Sequence, residues 1–442
     1  MTLSAPAARV PLFPILLVNL IGTLGFGLVL PFLVFLVTAW GGNALIYGLA
    51  GATYSAFQLV GAPILGRWSD RIGRRRVLLV SQAGTLLSWL IFLVAFFLPR
   101  TPLLEIESPI AGTFAVTIPL VVLFAARALD GLTGGNVSVA NAYLADISAP
   151  EDRAANFGKM AVASNLGFIL GPALAGVLGA TALGESAPVL GAAIISLAAL
   201  LVIARWLPES VPCALARMPE RPNVRKVFGQ EQRDCFELKA AAKLSLRQLL
   251  RLPSVPRILV IFFLVMLGFN FFYVTFPVHA VQELDWSLTD TGIFFTVMGG
   301  LMVIVQGPVL ARLSRVVSDR ALVTAGGVAL AGGFVLFDSR NVVTIYLGVA
   351  LLAAGNGVMW PSVLSVLSEA AGSVYQGAVQ GAAGSLGAVA SIVGLTAGGV
   401  LYTTLGAGIF AASAGVILLS ALMGLTLGGP AGSPVAGPGP RA

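Results

Sequence analysis

Apolar runs long enough to cross a bilayer recur from one end of this chain to the other. A helix of about 20 apolar residues spans a hydrocarbon core of about 30 Å. Only a structure that satisfies its own backbone groups is stable there, which means a helix or a closed barrel. The alternating apolar–polar pattern of a membrane barrel is absent, so the runs are read as helices. Composition agrees: 57% of the 442 residues are hydrophobic, the mean hydropathy is +0.94 and only 10% are charged. A soluble domain carries about 25% charged residues.

Twelve spans are predicted, at about 11–38, 45–66, 77–98, 116–146, 155–180, 188–207, 257–282, 288–311, 321–337, 342–368, 377–403 and 406–427. The first run is too long for a cleavable signal and has no clear cleavage site, so it is read as a true span. Lys and Arg in short loops mark the cytoplasmic side. The amino terminus, 67–76, 153–159, 205–257, 312–320 and the carboxy-terminal tail hold 23 of the 26 basic residues. Both termini are therefore expected in the cytoplasm. The net charge of +7 is read as topology, not as a nucleic-acid footprint.

The longest polar stretch divides the chain. The expected units are an amino-terminal bundle at 1–207, a cytoplasmic loop at 208–256, a second bundle at 257–427 and a flexible tail at 428–442. Within the loop, Leu246, Leu249 and Leu250 share one helical face, and Lys243, Arg247 and Arg251 another. That pattern reads either as a basic amphipathic helix on the inner leaflet or as a solvated linker. Cys213 and Cys235 also lie there. A cytoplasmic address disfavours a disulfide, and two cysteines alone cannot close a structural zinc site. No metal and no cofactor is expected. The halves repeat each other: GAPILGRWS (61–69) matches QGPVLARLS (306–314), and GPALAGVL (171–178) matches GLTAGGVL (394–401). The second offset also places Asp146 on Glu369. Two six-helix halves in parallel repeat, with substrate bound between them, are one way secondary transporters are built.

Residues 66–76 read GRWSDRIGRRR. Gly66 and Gly73 permit close approach or tight turning. Asp70 can cap a helix N-terminus, where free N–H groups favour an anion. Inside the spans, charge is costly at about 2.5–3.5 kcal/mol per residue at a helix centre. Arg127 and Asp130 stand in span 4, three residues apart, and can touch. They form either a self-neutralising structural pair or a proton-responsive carboxylate with Arg127 controlling its ionisation; burial and a neighbouring cation act on a carboxylate in opposite directions. Gln58, Asn136, Asn141, Asn165, Asn270, Gln306, Asn356 and Gln380 outline a polar cavity, with Trp360 and Tyr273 as aromatic surface. Each amide alone also fits a helix-packing hydrogen bond. His279, near the outer end of span 7, reads as an interfacial histidine with its hydrogen bonds satisfied.

GRWSDRIGRRR, between spans 2 and 3, resembles the hallmark loop of the major facilitator superfamily. Gly66, Asp70, Arg71, Gly73, Arg74 and Arg75 all match. RALDGLTGG (127–135) resembles the family's span-4 signature, and GFILGPALAG (167–176) its span-5 exporter signature. In the latter Gly167, Gly171, Pro172 and Gly176 match, and Ala175 departs. GGNVSVANAYLADISAPEDRAANFG and YQGAVQGAAGSLGAVASIVG resemble the tetracycline/proton antiporter branch.

The resemblance implies an all-α membrane protein of twelve transmembrane helices in two pseudo-symmetric six-helix bundles. It implies no enzyme activity, an address in a bacterial cytoplasmic (inner) membrane, and a monomer that handles protons and a small-molecule substrate in the lipid bilayer. The hallmark loop is then a latch between the halves in the outward-facing state, and span 5 a flexible seal. The branch carries a span-1 aspartate before a G-x-G-x-x-x-P element. Here the element is GFGLVLP (25–31) and the matching position is Gly22, with Asn19 nearby, so Asp130 is the remaining acidic candidate. The reading is proton-coupled efflux of small amphipathic compounds or drugs. The alternative is an importer or facilitator of a small metabolite such as a sugar or organic acid. A membrane enzyme or scaffold is the third class; no H-E-x-x-H, G-x-S-x-G or Walker A stretch occurs in the chain to support an enzyme or an ATP-driven pump.

Overall fold

A computed structural model describes residues 11–134, 136–148, 152–210, 246–252 and 254–426. Cys213, Cys235, Lys243, most of the 208–256 loop and the 428–442 tail lie outside the described residues.

The apolar runs become helices α1 (Phe13–Ala39), α2 (Ala44–Ile72) and α3 (Arg74–Ala95), then α4 (Ile118–Thr133), α5 (Asn136–Ile147), α6 (Arg153–Gly179) and α7 (Ser186–Trp206). After the short α8 (Leu246–Leu249) come α9 (Val255–Gln282), α10 (Leu288–Ile304), α11 (Leu310–Leu313), α12 (Asp319–Leu336), α13 (Val342–Leu405) and α14 (Gly408–Leu425). In α8 the expected amphipathic pattern is short: Leu249 is buried in the core and Leu250 faces out.

Among the described residues, ten helices are long and apolar enough to cross a membrane, or eleven if the bent α1 counts as one span. The predicted twelve are not all matched. The one that falls short is α2, whose membrane part carries Tyr47, Thr53, Tyr54, Ser55 and Gln58, and which runs on through Arg67, Asp70 and Arg71 instead of stopping at 66. The arginine-rich "loop" is thus mostly helix, interrupted only at Gly73, whose φ of +104° is open to a residue without Cβ. The bend of 42° in α1 falls after residue 29, where the sequence places Pro31; a proline cannot donate to the carbonyl four residues back. Spans 10 and 11 are joined without a helical break in α13.

Helix ends follow local chemistry. Asn43 caps α2 through Ile46 N–H, Asn341 caps α13, and Ser287 with Asp290 forms a capping box on α10. The repeat is uneven. Pro63 is absorbed within α2, whereas at Pro308 the second half slips into a π-helical segment, Val305–Val309. One feature was not expected. Residues Pro102–Ser108 (β1) and Gly112–Thr117 (β2) pair as an antiparallel hairpin. The alternation in LLEIES and GTFAVT was its only signal.

Each half has an aromatic core. Trp40 and Trp89 pack on Phe92 in the first; Phe272, Phe276, Phe294 and Phe337 pack together in the second. The halves meet at the hairpin end. Gly176 of α6 faces Gly292 of α10 so closely that a Cβ on Gly292 would lie 2.7 Å from Gly176 Cα. A Cβ on Gly399 of α13 would lie 2.7 Å from the Ala44 carbonyl of α2. Toward the arginine-rich end the described residues part. Gly158, Gly307, Gly381 and Gly384 have open space where a Cβ would stand, and Val305–Leu313 buries no residue.

Candidate functional site

The charged pair of span 4 is in contact. Arg127 Nη2 lies 3.1 Å from Asp130 Oδ2, and the two residues are only 3% and 7% exposed. This is an ion contact without hydrogen-bond alignment: Arg127 Nε and Nη2 have no hydrogen-bond partner among the described residues. The guanidinium instead lies over two ring faces, 5.1 Å from Trp89 and 5.8 Å from Tyr54. Thr85 and Ser88 of α3 bring hydroxyls within reach of the Asp130 carboxylate. The pair is enclosed between α2, α3 and α4. A buried pair of this kind repays its desolvation only in part. Tyr54 and Trp89 escaped the sequence reading because they sit on neighbouring helices; the available signal was Gln58, one turn beyond Tyr54.

The expected amides divide. Gln58 Nε2 donates to Tyr54 Oη (3.1 Å) and to the Gly134 carbonyl (3.2 Å), where α4 gives way to α5. Asn270 Nδ2 donates to the Met266 carbonyl (2.7 Å) and to Ser391 Oγ (3.3 Å), tying α9 to α13. Asn356 is buried, and Gln306 lies in the π segment against Gly357. Trp360 packs its ring 5.0 Å from Phe262, and Tyr273 lies 5.0 Å from Phe269. Gln380 and Asn141 are exposed, and the side chains of Asn136 and Asn165 lie outside what is described. None of these residues lines either of two cavities formed among the described residues. One, of about 580 Å³, is an apolar groove between α1 and α6 near the arginine-rich end. The other, of about 460 Å³ at the hairpin end, is lined by Asn43, His279, Glu283, Asp338, Arg340 and Tyr402 among others. His279 Nδ1 lies 3.4 Å from Tyr402 Oη, and its Nε2 has no partner among the described residues, so the histidine is only half satisfied.

The arginine-rich stretch is a network within the first half. Arg74 reaches Asp70 Oδ1 (2.6 Å), Asp146 Oδ2 (3.0 Å) and Ser69 Oγ (2.5 Å). Asp70 does not cap α3. That place belongs to Glu209, beyond α7, which accepts from Arg75 N–H at 2.8 Å. A Cβ on Gly73 would lie 2.6 Å from this carboxyl group. Arg75 also donates from Nε to the Ile203 carbonyl and from Nη2 to the Ala204 carbonyl. Burial raises the Glu209 pKa, opposed by the backbone N–H groups of Arg75 and Arg76. Gly66 and Arg71 are not crowded: Gly66 has open space beside it, and Arg71 is exposed.

The span-5 glycines have two jobs. Gly167 and Gly171 touch α1 backbone to backbone: a Cβ on Gly171 would lie 2.7 Å from Gly27 C and Leu28 N. Pro172 packs its ring near Gly27, and Gly176 instead faces the other half.

Two helical bundles with polar groups buried in an apolar shell, meeting at one end, have the architecture of a polytopic membrane transporter. The model of the Major Facilitator Superfamily matches residues 15–395, and the chain belongs to that family. It is 30% identical over 348 residues to the class C tetracycline resistance protein of Escherichia coli, covering 79% of this chain and 78% of that one. It is 28% identical to human solute carrier family 67 member A1, covering 83% and 80%. The crystal structure of the human organic anion transporter MFSD10 superposes with a TM-score of 0.63 at 25% identity, covering 95% of this chain and 100% of that one.

Proposed function

We propose that this transporter exports small amphipathic compounds in exchange for protons, with Asp130 as the proton-carrying group. The buried Arg127–Asp130 pair carries the reading. Two apolar residues would be less costly at that depth, and among the described residues no other acid is paired inside a span with a guanidinium that lacks hydrogen-bond acceptors. A shift of α4 against α2 or α3 that loosens Arg127 favours proton uptake by Asp130; return of Arg127 favours release. The half-buried surfaces of Trp360 and Tyr273, with Asn270 and Gln306, suit an amphipathic ligand on the second half, with Gln58, Asn136, Asn165, Asn356 and Gln380 as further polar positions. Gly66, Asp70, Arg71, Gly73, Arg74 and Arg75 form the latch that engages the second half when the arginine-rich end closes; in the form described here the contacts of Asp70, Arg74 and Arg75 stay within the first half. With that end cytoplasmic, the form described here opens inward.

The test is pH-gradient-driven flux of tetracycline and of ethidium in liposomes, for the parent and Asp130→Asn side by side. The expected result is gradient-driven flux in the parent and none in the variant, with binding retained. Undiminished flux in Asp130→Asn removes this residue from coupling. No flux in the parent, with either probe, removes the efflux reading. Transport of organic anions is the second reading, favoured by the Arg127 N–H groups that lack acceptors; fluorescein as a third probe tests it.

A further inference from the structure

The hairpin between spans 3 and 4 touches both halves. On its own half it is anchored four times. Asn43 Nδ2 donates to the carbonyls of Ala111 (2.7 Å) and Thr113 (3.3 Å). Ala115 N–H donates to the Gly41 carbonyl (2.8 Å), and Thr117 Oγ1 to the Trp40 carbonyl (2.8 Å). Its turn then reaches over the seam. Thr403 Oγ1, at the hairpin end of α13, lies 2.9 Å from the Ile110 carbonyl and 2.6 Å from the Val400 carbonyl of its own helix, so its one proton is shared between a crossing and an intrahelical acceptor. Gly112 sits between the halves at the tip, with φ +71°. A Cβ there would lie 3.1 Å from Asn43 Nδ2 of the first half and 3.7 Å from Thr403 Cβ of the second. Just below, Gly399 of the same helix packs on the backbone of α2.

We propose that this hairpin is a gate clasp for the transport cycle, which moves with the first half and must let go of Thr403 before the hairpin end can open. The geometry makes the motion one-sided. Four anchors hold the strands to the α1–α2 corner, and one exposed hydrogen bond crosses to α13, so the crossing bond is the one that parts. The equivalent connection in the second half, between α12 and α13, spans only residues 337–341 and forms no strand. The clasp therefore has no twin, and it biases the two-state balance toward the form closed at this end. The proposal rests on alternating access alone and is independent of substrate, of coupling ion and of Asp130.

The 3.7 Å separation lies within the Cβ–Cβ range of a disulfide, about 3.5–4.5 Å. Gly112→Cys with Thr403→Cys, in a full-length chain carrying Cys213→Ser and Cys235→Ser, should therefore cross-link on oxidation. Transport of tetracycline should stop and should return on reduction. Failure to cross-link, or full transport by the cross-linked protein, overturns the proposal. Because cysteine at the positive φ of Gly112 strains the turn, Thr403→Val supplies a second arm. It keeps the shape and removes the donor. A net hydrogen bond of ordinary strength shifts an equilibrium about two- to ten-fold. Labelling of Leu395→Cys, introduced at the closed seam, should rise by that factor while the thermal midpoint stays unchanged. Unchanged labelling contradicts the clasp.

Discussion

Replacing Gly292 by alanine tests how the halves are held apart or together. The new Cβ would stand 2.7 Å from Gly176 Cα, 2.9 Å from Gly176 N and 3.0 Å from the Pro172 carbonyl. Ordinary carbon contacts lie at about 3.5–4.0 Å, so α6 and α10 must part by roughly 1 Å. All three opposing atoms are backbone and cannot rotate away. Overpacking of this kind costs about 1–3 kcal/mol. The two helices belong to different halves and meet here only while the hairpin end is closed, so the cost falls on that state. A bias of 1–3 kcal/mol corresponds to about a 5- to 150-fold change in the state balance. Labelling of Leu288→Cys, at the same seam, by a membrane-impermeant maleimide should speed up accordingly. Gly171→Ala is the internal control. Its Cβ would strike Gly27 and Leu28 of α1, in the same half, so it should lower the thermal midpoint in every state without changing the labelling. Equal effects of the two variants would refute the reasoning, because it assigns one glycine to the seam and the other to the bundle.

Asp70→Asn should leave stability within about 0.5 kcal/mol of the parent, since it pairs with Arg74 at i,i+4 and is largely exposed. Transport should nevertheless slow, with labelling shifted toward the form open at the arginine-rich end; normal turnover would leave the stretch as a topology signal only. Glu209→Gln tests the cap. Burial raises the Glu209 pKa above its unfolded value, so its contribution is greatest below the unfolded carboxylate range and is lost as pH rises through the folded pKa. Thermal midpoints measured across pH should show the variant gaining on the parent as pH rises; a parallel pair of curves counts against this. Trp89→Leu removes one of the two ring faces beside Arg127. It should weaken gradient-driven flux in liposomes and destabilise by about 0.5–2 kcal/mol beyond the lost packing, and wild-type flux would show that the cage does not tune the pair.

What could be read from the sequence follows a physical line. Apolar length carries the helices, because the bilayer enforces it residue by residue, while the placement of arginines sets an expected orientation. Helices and halves were therefore legible, and so was the contact of Arg127 with Asp130, which is set by helical spacing within one segment. The partners of that pair were not. Tyr54, Thr85, Ser88 and Trp89 come from two other helices, and no local rule says which turns of α2 and α3 will face α4. The cap of α3 illustrates the same limit. Local chemistry offered Asp70, three residues upstream, and the structure uses Glu209, which arrives from the far end of α7.

The glycines carry this argument furthest. In the sequence Gly167, Gly171 and Gly176 look like one stripe with one purpose, since all are small and evenly placed in a membrane helix. Successive residues four or five apart on a helix drift around its axis, because 3.6 residues make a turn. The drift from Gly171 to Gly176 takes the stripe from α1 to α10, out of the bundle and onto the other half. Pro172 stands between the two contacts, with its ring toward Gly27 and its carbonyl toward Gly292. A single motif thus serves two separate contacts, Gly171 against α1 inside the first bundle and Gly176 against α10 at the seam with the second.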